Sequence, residues 1–260
     1  MCRMKTDIKK IEDLSLNAWP SHQMQLYDGW ILRFSYFYTH RTNCIEEIGP
    51  STLPLSEKIP YCEEIYRRWK TPCIFKITPL TDAALDAELE KRGYLIEHRT
   101  EVMRINDLHS ADFASRSRSF PPGCIPEIAA RVNERWLSGL FALKGTTDPA
   151  HLKVVPSMYD AIPKDEIAVS VSCGGRVIAT GLGILDRDEA GLYAVHTGEA
   201  FRQKGIASSV IRTILAEASR RGAKGAYLQV VSGNAPARRL YSREGFTDAY
   251  TCWYRVKSFE

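Results

Sequence analysis

The sequence predicts an α/β chain of the α+β kind, built as two tandem units of strands flanked by helices. Three observations carry this expectation. Short apolar runs with strand period alternate with longer runs of helical period along all 260 residues. A polar stretch ending in Pro121-Pro122 interrupts the alternation near the middle. The second half contains a strand, a basic glycine-containing loop and an amphipathic helix, followed by a second strand, helix and strand. The expected boundaries are a first unit over residues 1–105, a linker over 106–122 and a second unit over 123–260.

In the first unit, Ile8 to Trp19 has helical spacing and stops at Pro20. Asp28-Gly29 predicts a turn that leads into a strand from Trp30 to Phe34. Leu55 to Trp69 is helical, with Ser56 as a candidate cap. Cys73 to Ile77 is a short apolar strand. Asp82 to Arg92 is a helix with Ala84, Leu85 and Leu89 on one face and Gly93 as its stop. Glu101 to Ile105 is extended. The linker carries Arg116 and Arg118, which a solvated segment accounts for as well as an anion contact does.

The second unit opens with a predicted helix over Pro126 to Leu143 and a helical or irregular segment over Pro149 to Ala161. Ile167, Val169 and Val171 alternate with small or polar residues, as a half-buried strand requires. Gly174-Gly175 supplies a hairpin turn to a return strand over Val177 to Leu185. Then follow a strand over Gly191 to Thr197, a loop, a helix from Ile206 to Arg221 stopped by Gly222, and a strand over Ala226 to Val231. A helix from Asn234 to Glu244 and a strand over Tyr250 to Val256 close the chain.

Composition bounds the function. With 44% hydrophobic and 25% charged residues, the chain can build a core without staples. Its formal net charge of +4 suits an anionic ligand and falls well short of a dedicated nucleic-acid binder. It also mildly disfavours a strongly cationic substrate. The seven cysteines are odd in number, scattered and without a C-x-x-C pair, which predicts neither a disulfide framework nor a zinc ribbon. None has a histidine partner at motif spacing, so a cysteine nucleophile is not expected. No signal peptide and no membrane-spanning apolar run are visible, so the expected location is the cytoplasm and no membrane partner is expected.

The chemistry concentrates between Thr197 and Gly222. A helix start offers free backbone N–H groups and the positive end of its dipole. Gly205 has no side chain to block an approaching phosphate, and Arg202 and Lys204 add positive charge. Together they form a pyrophosphate cradle. By itself such a loop is equally an ordinary strand-to-helix turn. Two further features shift the balance: Asn234, Ala237 and Tyr241 fall near one face of the next helix. That helix closes on Gly245 and Phe246.

Residues from about Ile167 to Val256 resemble the GNAT superfamily of N-acetyltransferases. Arg202-Gln203-Lys204-Gly205-Ile206-Ala207 matches that family's R/Q-x-x-G-x-G/A signature, and Asn234 through Phe246 matches N-x-x-A-x-x-L-Y-x-x-x-G-F. One departure is Glu199, three residues before Arg202, where the family often has proline or a hydrophobic residue. The resemblance implies the acyl-CoA N-acyltransferase fold, a mixed and twisted sheet that splays between Gly191–Thr197 and Ala226–Val231. It implies acetyl-CoA as co-substrate, with no metal. Pantetheine would pair with the backbone of Val195 to Thr197, the pyrophosphate would sit on Gln203 to Ala207, and Asn234 would bond the pantetheine arm, with Ala237 on the same helix face.

By the same resemblance, Tyr241 protonates the departing thiolate of CoA, unless it is simply a packed tyrosine. His196 titrates in the range of a general base, although a core or surface histidine accounts for it more readily. Glu199, Glu166 and a water chain are the other candidates. The acceptor is an unidentified primary amine, and the chain is expected to act as a monomer or homodimer. A catalytically silent CoA-binding regulator is the alternative. A nucleic-acid module built on Arg202, Lys204, Arg220, Arg221 and Lys224 lacks interleaved aromatics.

In the first unit, Cys73–Ile77 with Leu85 through Gly93-Tyr94 more loosely resembles the closing elements of the same fold. This suggests a degenerate second copy that shapes the acceptor site, which requires a sheet within residues 25–105. Asp28-Gly29-Trp30, Arg33 and Arg41-Thr42-Asn43 either line an acceptor pocket or form a hydrogen-bonded turn.

Overall fold

A computed structural model describes residues 2–109 and 120–259. Arg116 and Arg118 lie outside the described residues. The described strands join into one eleven-stranded sheet, and no described helix is long and apolar enough to cross a membrane. In chain order the main elements are α1 (Cys2–Ala18), β1 (Gln23–Tyr27), β2 (Trp30–Phe34), β3 (Ile45–Glu47), α2 (Leu55–Arg68), β4 (Cys73–Ile77), α3 (Ala83–Lys91) and β5 (Leu95–Ile105). Then come β6 (Cys124–Ala129), α4 (Glu134–Lys144), α5 (Pro149–Asp160), β7 (Asp165–Cys173), β8 (Arg176–Asp186), β9 (Glu189–Thr197), α6 (Ile206–Arg220), β10 (Gly225–Val231), α7 (Ala235–Arg243) and β11 (Thr247–Lys257).

The strand order is β1-β2-β3-β4-β11-β5-β10-β9-β8-β7-β6. Two adjacent pairs are parallel, β3 with β4 and β9 with β10; the others are antiparallel. Read outward from the central β11–β5 pair, both sides give the same four polarities, and β6 adds one further antiparallel strand to the second half. The two halves exchange their closing strands: β5 lies against β10, and β11 lies against β4. Both strands are 11 residues long.

The two halves also match in detail. Asp82 accepts the N–H of Ala84 to cap α3, and Asn234 accepts the N–H of Ala237 to cap α7. At the other ends, Gly93 and Gly245 both adopt positive φ, and the next residues, Tyr94 and Phe246, are both buried. Tyr94 N–H donates back to Leu89 and Phe246 N–H to Tyr241, the same helix-ending hydrogen bond twice. Asp82, Leu89, Gly93 and Tyr94 thus stand at a constant offset from Asn234, Tyr241, Gly245 and Phe246. Where the second half carries the Tyr241 hydroxyl, the first carries the fully buried Leu89.

Helices cover both faces of the second half. The apolar stripe of α6, Ile206, Val210, Ile211, Ile214 and Leu215, packs with Val169, Leu192, Leu228 and Val230. On the opposite face α1, α4 and α5 pack on Leu182, Ile184, Tyr193 and Tyr227 through Ile11, Leu14, Trp136, Leu140 and Met158. Gly181 and Gly183 let α6 approach, since a Cβ at either position would meet Val210 or Ile214 at 2.5 Å.

Three sequence expectations need correction. The single helix over Pro126 to Leu143 is two elements: Cys124–Ala129 is an edge strand on β7, and α4 begins after Asn133, which caps it. An edge strand tolerates Pro126, whose missing N–H interrupts no ladder on the open side. Ser56 is not a cap; it lies inside α2, whose N-cap position is Pro54. The strand expected from Glu101 begins six residues earlier, at Leu95. It is the exchanged strand of the first half.

Candidate functional site

Strands β9 and β10 run parallel and pair from Glu189 with Gly225 to Leu192 with Leu228, where the ladder stops. From Tyr193 onward that edge of β9 has no strand partner among the described residues, so the two strands part towards their C-terminal ends and leave a cleft between them. A β-bulge marks the divergence: the β8–β9 register shifts between Thr180 and Leu182, and Ala194 adopts φ 48°. Beyond it, Val195 packs with the α6 core, whereas Tyr193 and Ala194 pack with α1, α4 and α5.

The loop after β9 passes through Arg202, Gln203 at φ 61° and Gly205 at φ 78° into α6. Helices α3, α4, α5 and α7 are each capped by a side chain, from Asp82, Asn133, Asp148 and Asn234. Helix α6 starts on Gly205 with no capping side chain among the described residues, and its first helical hydrogen bond is the Ser209 N–H to the Gly205 carbonyl, so the N–H groups of Ile206, Ala207 and Ser208 are left without a partner inside the helix. Lys204 lies over the Phe201 ring at 5.3 Å, and Arg202 Nε donates to the Thr197 carbonyl at 3.4 Å. Among the described residues, Thr197 Oγ1 is buried without a hydrogen-bond partner at the mouth of this loop. An uncapped helix start and an orphaned buried hydroxyl beside an open strand edge fit an elongated ligand with an anionic group.

Tyr241 lies on α7, half-buried beside the α6 core, with its ring 6.0 Å from that of Phe246. Burial raises its pKa to about 12, so the phenol holds its proton at neutral pH. His196 pairs in register with Thr180 and is half-buried. Burial, then the charges of Lys144 and Arg202, lower its pKa and keep the imidazole neutral. Asn234 spends Oδ1 on capping α7, accepting from the Ala237 N–H at 3.2 Å.

The structure does not bring every candidate together. Glu166 sits at the start of β7, where the register runs through Ile184 to Gly191, at the closed end of the cleft. Its carboxylate accepts the Val132 N–H at 2.7 Å and lies 3.3 Å from Arg131, while burial raises its pKa. Glu199 is exposed on a short 3-10 turn after β9. Arg220 and Arg221 both pair with Glu217, which removes much of the basic face on which nucleic-acid binding would depend.

Sequence reasoning missed the fate of the corresponding place in the first half. There the Asp28 carboxylate accepts the N–H groups of Thr52 and Leu53 just ahead of α2, and Lys58 reaches the same carboxylate at 3.3 Å. The cleft side is filled as well: Lys76, fully buried, pairs with Glu12 of α1 and with Glu46, which in turn meets Arg33 at 3.5 Å. Asp28 at a glycine turn was visible in the sequence; the loop that it captures was not.

Comparison with known proteins agrees with this geometry. Residues 136–246 match the family model described as Acetyltransferase (GNAT) family. An uncharacterized N-acetyltransferase of Bacillus subtilis (strain 168), YobR, is 25% identical over 260 residues, spanning 96% of this chain and 99% of its own. Among solved structures, a GCN5-related N-acetyltransferase from Kribbella flavida superposes with a TM-score of 0.71 at 15% identity, covering 97% of this chain and 96% of that one. A tandem GNAT protein from the clavulanic acid biosynthesis pathway superposes with a TM-score of 0.67 at 9% identity, covering 95% of this chain and 87% of that one. At such identities these two likenesses speak for the fold. With the two motifs set on the splayed β9–β10 pair and the helices that flank it, residues 136–246 form a GNAT-family acetyltransferase region and the chain has the acyl-CoA N-acyltransferase fold.

Proposed function

We propose that the chain is an acetyl-CoA-dependent N-acetyltransferase whose second half, residues 123–260, performs the transfer. The observation that carries this reading is the uncapped start of α6 on Gly205, set beside the open edge of β9 where Thr197 Oγ1 lacks a partner. Acetyl-CoA supplies an activated acyl group as a thioester. Gln203 to Ala207 would hold its pyrophosphate through backbone N–H groups, with Arg202 and Lys204 adding charge. Val195 and Thr197 would pair with the pantetheine as an added strand pairs with a sheet edge. The Asn234 amide can still donate from Nδ2 while Oδ1 caps α7, and Ala237 on the same helix offers no bulk against the arm.

In the reaction the amine nitrogen bonds to the acetyl carbon, and the carbon–sulfur bond breaks. The amine loses a proton and the thiolate gains one. Tyr241, protonated at neutral pH, is the proposed donor to sulfur. His196, neutral at the same pH, is the proposed acceptor of the amine's proton, directly or through water. The two stand on different faces of the sheet, and the gap between β9 and β10 gives both access to one thioester. The first half, residues 1–105, is a degenerate copy joined through 106–122 that no longer holds CoA and instead walls the acceptor side.

The direct test is an acetyl-CoA turnover screen against an amine library, read as release of free CoA thiol. Tight CoA binding with no turnover on any amine would replace this reading with that of a regulator.

A further inference from the structure

The segment from Ser35 to Asn43 of the first half ends beside the cleft of the second. Most of its polar groups are consumed in holding the turn. Asn43, fully buried, accepts from the N–H groups of Ser35 and Phe37 through Oδ1 and donates to the Thr39 carbonyl at 2.6 Å. Arg33 donates to the Arg41 and Trp19 carbonyls and faces Glu46.

Arg41 differs from both. Arg41 is half-buried, and its guanidinium lies over the Tyr193 ring at 5.8 Å from the centre, a cation–π contact with the first β9 residue past the end of the β9–β10 ladder. Its charge reaches Tyr159, Cys252 and Tyr254 on the same side of the sheet. Among the described residues no carboxylate stands within ion-pair distance of it, although the neighbouring Arg33 and Lys76 are both paired. Two more cations flank the opening. Lys144, at the end of α4, donates to the Tyr38 hydroxyl at 2.5 Å, and Arg202 bonds only a carbonyl. Neither has a carboxylate partner among the described residues. A half-buried guanidinium with a ring face but no carboxylate beside it keeps N–H donors for an anion that a ligand brings.

Resting on the transferase reading above, we infer that Arg41 binds an oxyanion carried by the acceptor itself. The substrate class is then an amine that also bears a carboxylate or a phosphate, with the amine at the β9–β10 gap and the anion against Arg41. A planar guanidinium suits either group through paired N–H donors.

The test compares matched acceptors on the full chain: amino acids against their decarboxylated amines, and amino-sugar phosphates against the free amino sugars. The expected result is a preference of about 10- to 100-fold in kcat/KM for one anion-bearing series over its neutral or cationic partner, and that series names the anion. Arg41→Ala should erase that preference by raising KM for the anionic acceptor, with acetyl-CoA affinity unchanged and a native melting profile. Arg41→Lys should restore part of it. Equal use of both members of each pair, or an equal loss on both in Arg41→Ala, overturns the inference while leaving the transferase intact. Bound acetyl-CoA with no amine acetylated overturns the transferase reading, and the inference falls with it.

Discussion

Asp28 accepts the backbone N–H of Leu53 at 2.9 Å and so occupies, from within the chain, the kind of anion position that Gly205 leaves open ahead of α6. The hairpin turn that presents Asp28 allows no side chain at Gly29, where a Cβ would stand 2.3 Å from the Pro50 carbonyl oxygen. These hydrogen bonds hold the Asp28 carboxyl well below the usual carboxylate range. A depressed folded-state pKa contributes stability that is present above the unfolded value of about 4 and is lost as pH falls through the folded value. Asp28→Asn should therefore melt lower than the parent at pH 7, and the gap should narrow as the pH is taken down from 4. A gap that stays constant with pH would mean that the carboxylate charge is not what holds this loop.

Gly205 supports the opposite prediction about ligand binding. Its φ of 78° lies in the region that side chains rarely adopt, and its N–H neighbours must meet the phosphates directly. Gly205→Val should weaken acetyl-CoA binding by at least about tenfold in titration calorimetry. Lys204→Glu places a repelling charge at the same loop without backbone strain and should weaken binding in the same direction. If both variants bind acetyl-CoA as the parent does, the ligand is elsewhere.

The legibility of these features from sequence follows their range. The loop before α6 and the Asn234–Phe246 helix were legible because cap, stripe and stop all fall within one short segment. Gly93-Tyr94 repeats Gly245-Phe246 closely enough to suggest a second copy, and the sheet within residues 25–105 meets the condition set for it. The exchange of β5 and β11 was not legible: Thr100 pairs with Cys252, and a strand's own pattern does not name so distant a partner. Pro126 hid β6 because an edge strand and the first turn of a helix tolerate proline equally. The filling of the first-half cleft was hidden for the same reason of distance, since Glu12, Glu46 and Lys76 come from three separate elements.

Tyr241 and His196 make separable predictions for turnover. Tyr241→Phe should lower kcat by about 100-fold or more while leaving the affinity for acetyl-CoA unchanged. With a pKa near 12, the phenol produces no alkaline loss of activity below about pH 11. Unchanged kcat would remove Tyr241 from the proton transfer. The His196 imidazole becomes active as a base above its own pKa, which lies below the usual 6.5. The acidic limb of kcat/KM should therefore fall below pH 6.5 and disappear in His196→Gln. Lys144→Ala removes one of the charges that depress it and should move the limb to higher pH.

A buried ionic network fills the first-half cleft. Lys76 is buried between Glu12 and Glu46, and Tyr250 donates to the other oxygen of Glu12 at 2.5 Å. Burial alone would favour the neutral amine, but the two carboxylates outweigh it and hold the Lys76 pKa well above its ordinary value. A raised folded-state pKa gives stability that is complete below the unfolded value, near 10.4, and is lost only at more alkaline pH. Lys76→Met keeps the bulk of the side chain, leaves the Glu12 carboxylate buried without a cation and leaves Glu46 with Arg33 alone. It should cost about 3–5 kcal/mol in urea denaturation at pH 7. The double variant Lys76→Met, Glu12→Gln removes the carboxylate left unpaired, keeps Glu46 for Arg33, and should recover a large part of that loss. Failure to recover would mean that the cation holds α1 on the sheet in a way that neutral packing does not replace. A loss well under 1 kcal/mol in the single variant would mean that water enters the cleft and that α1 does not seal it.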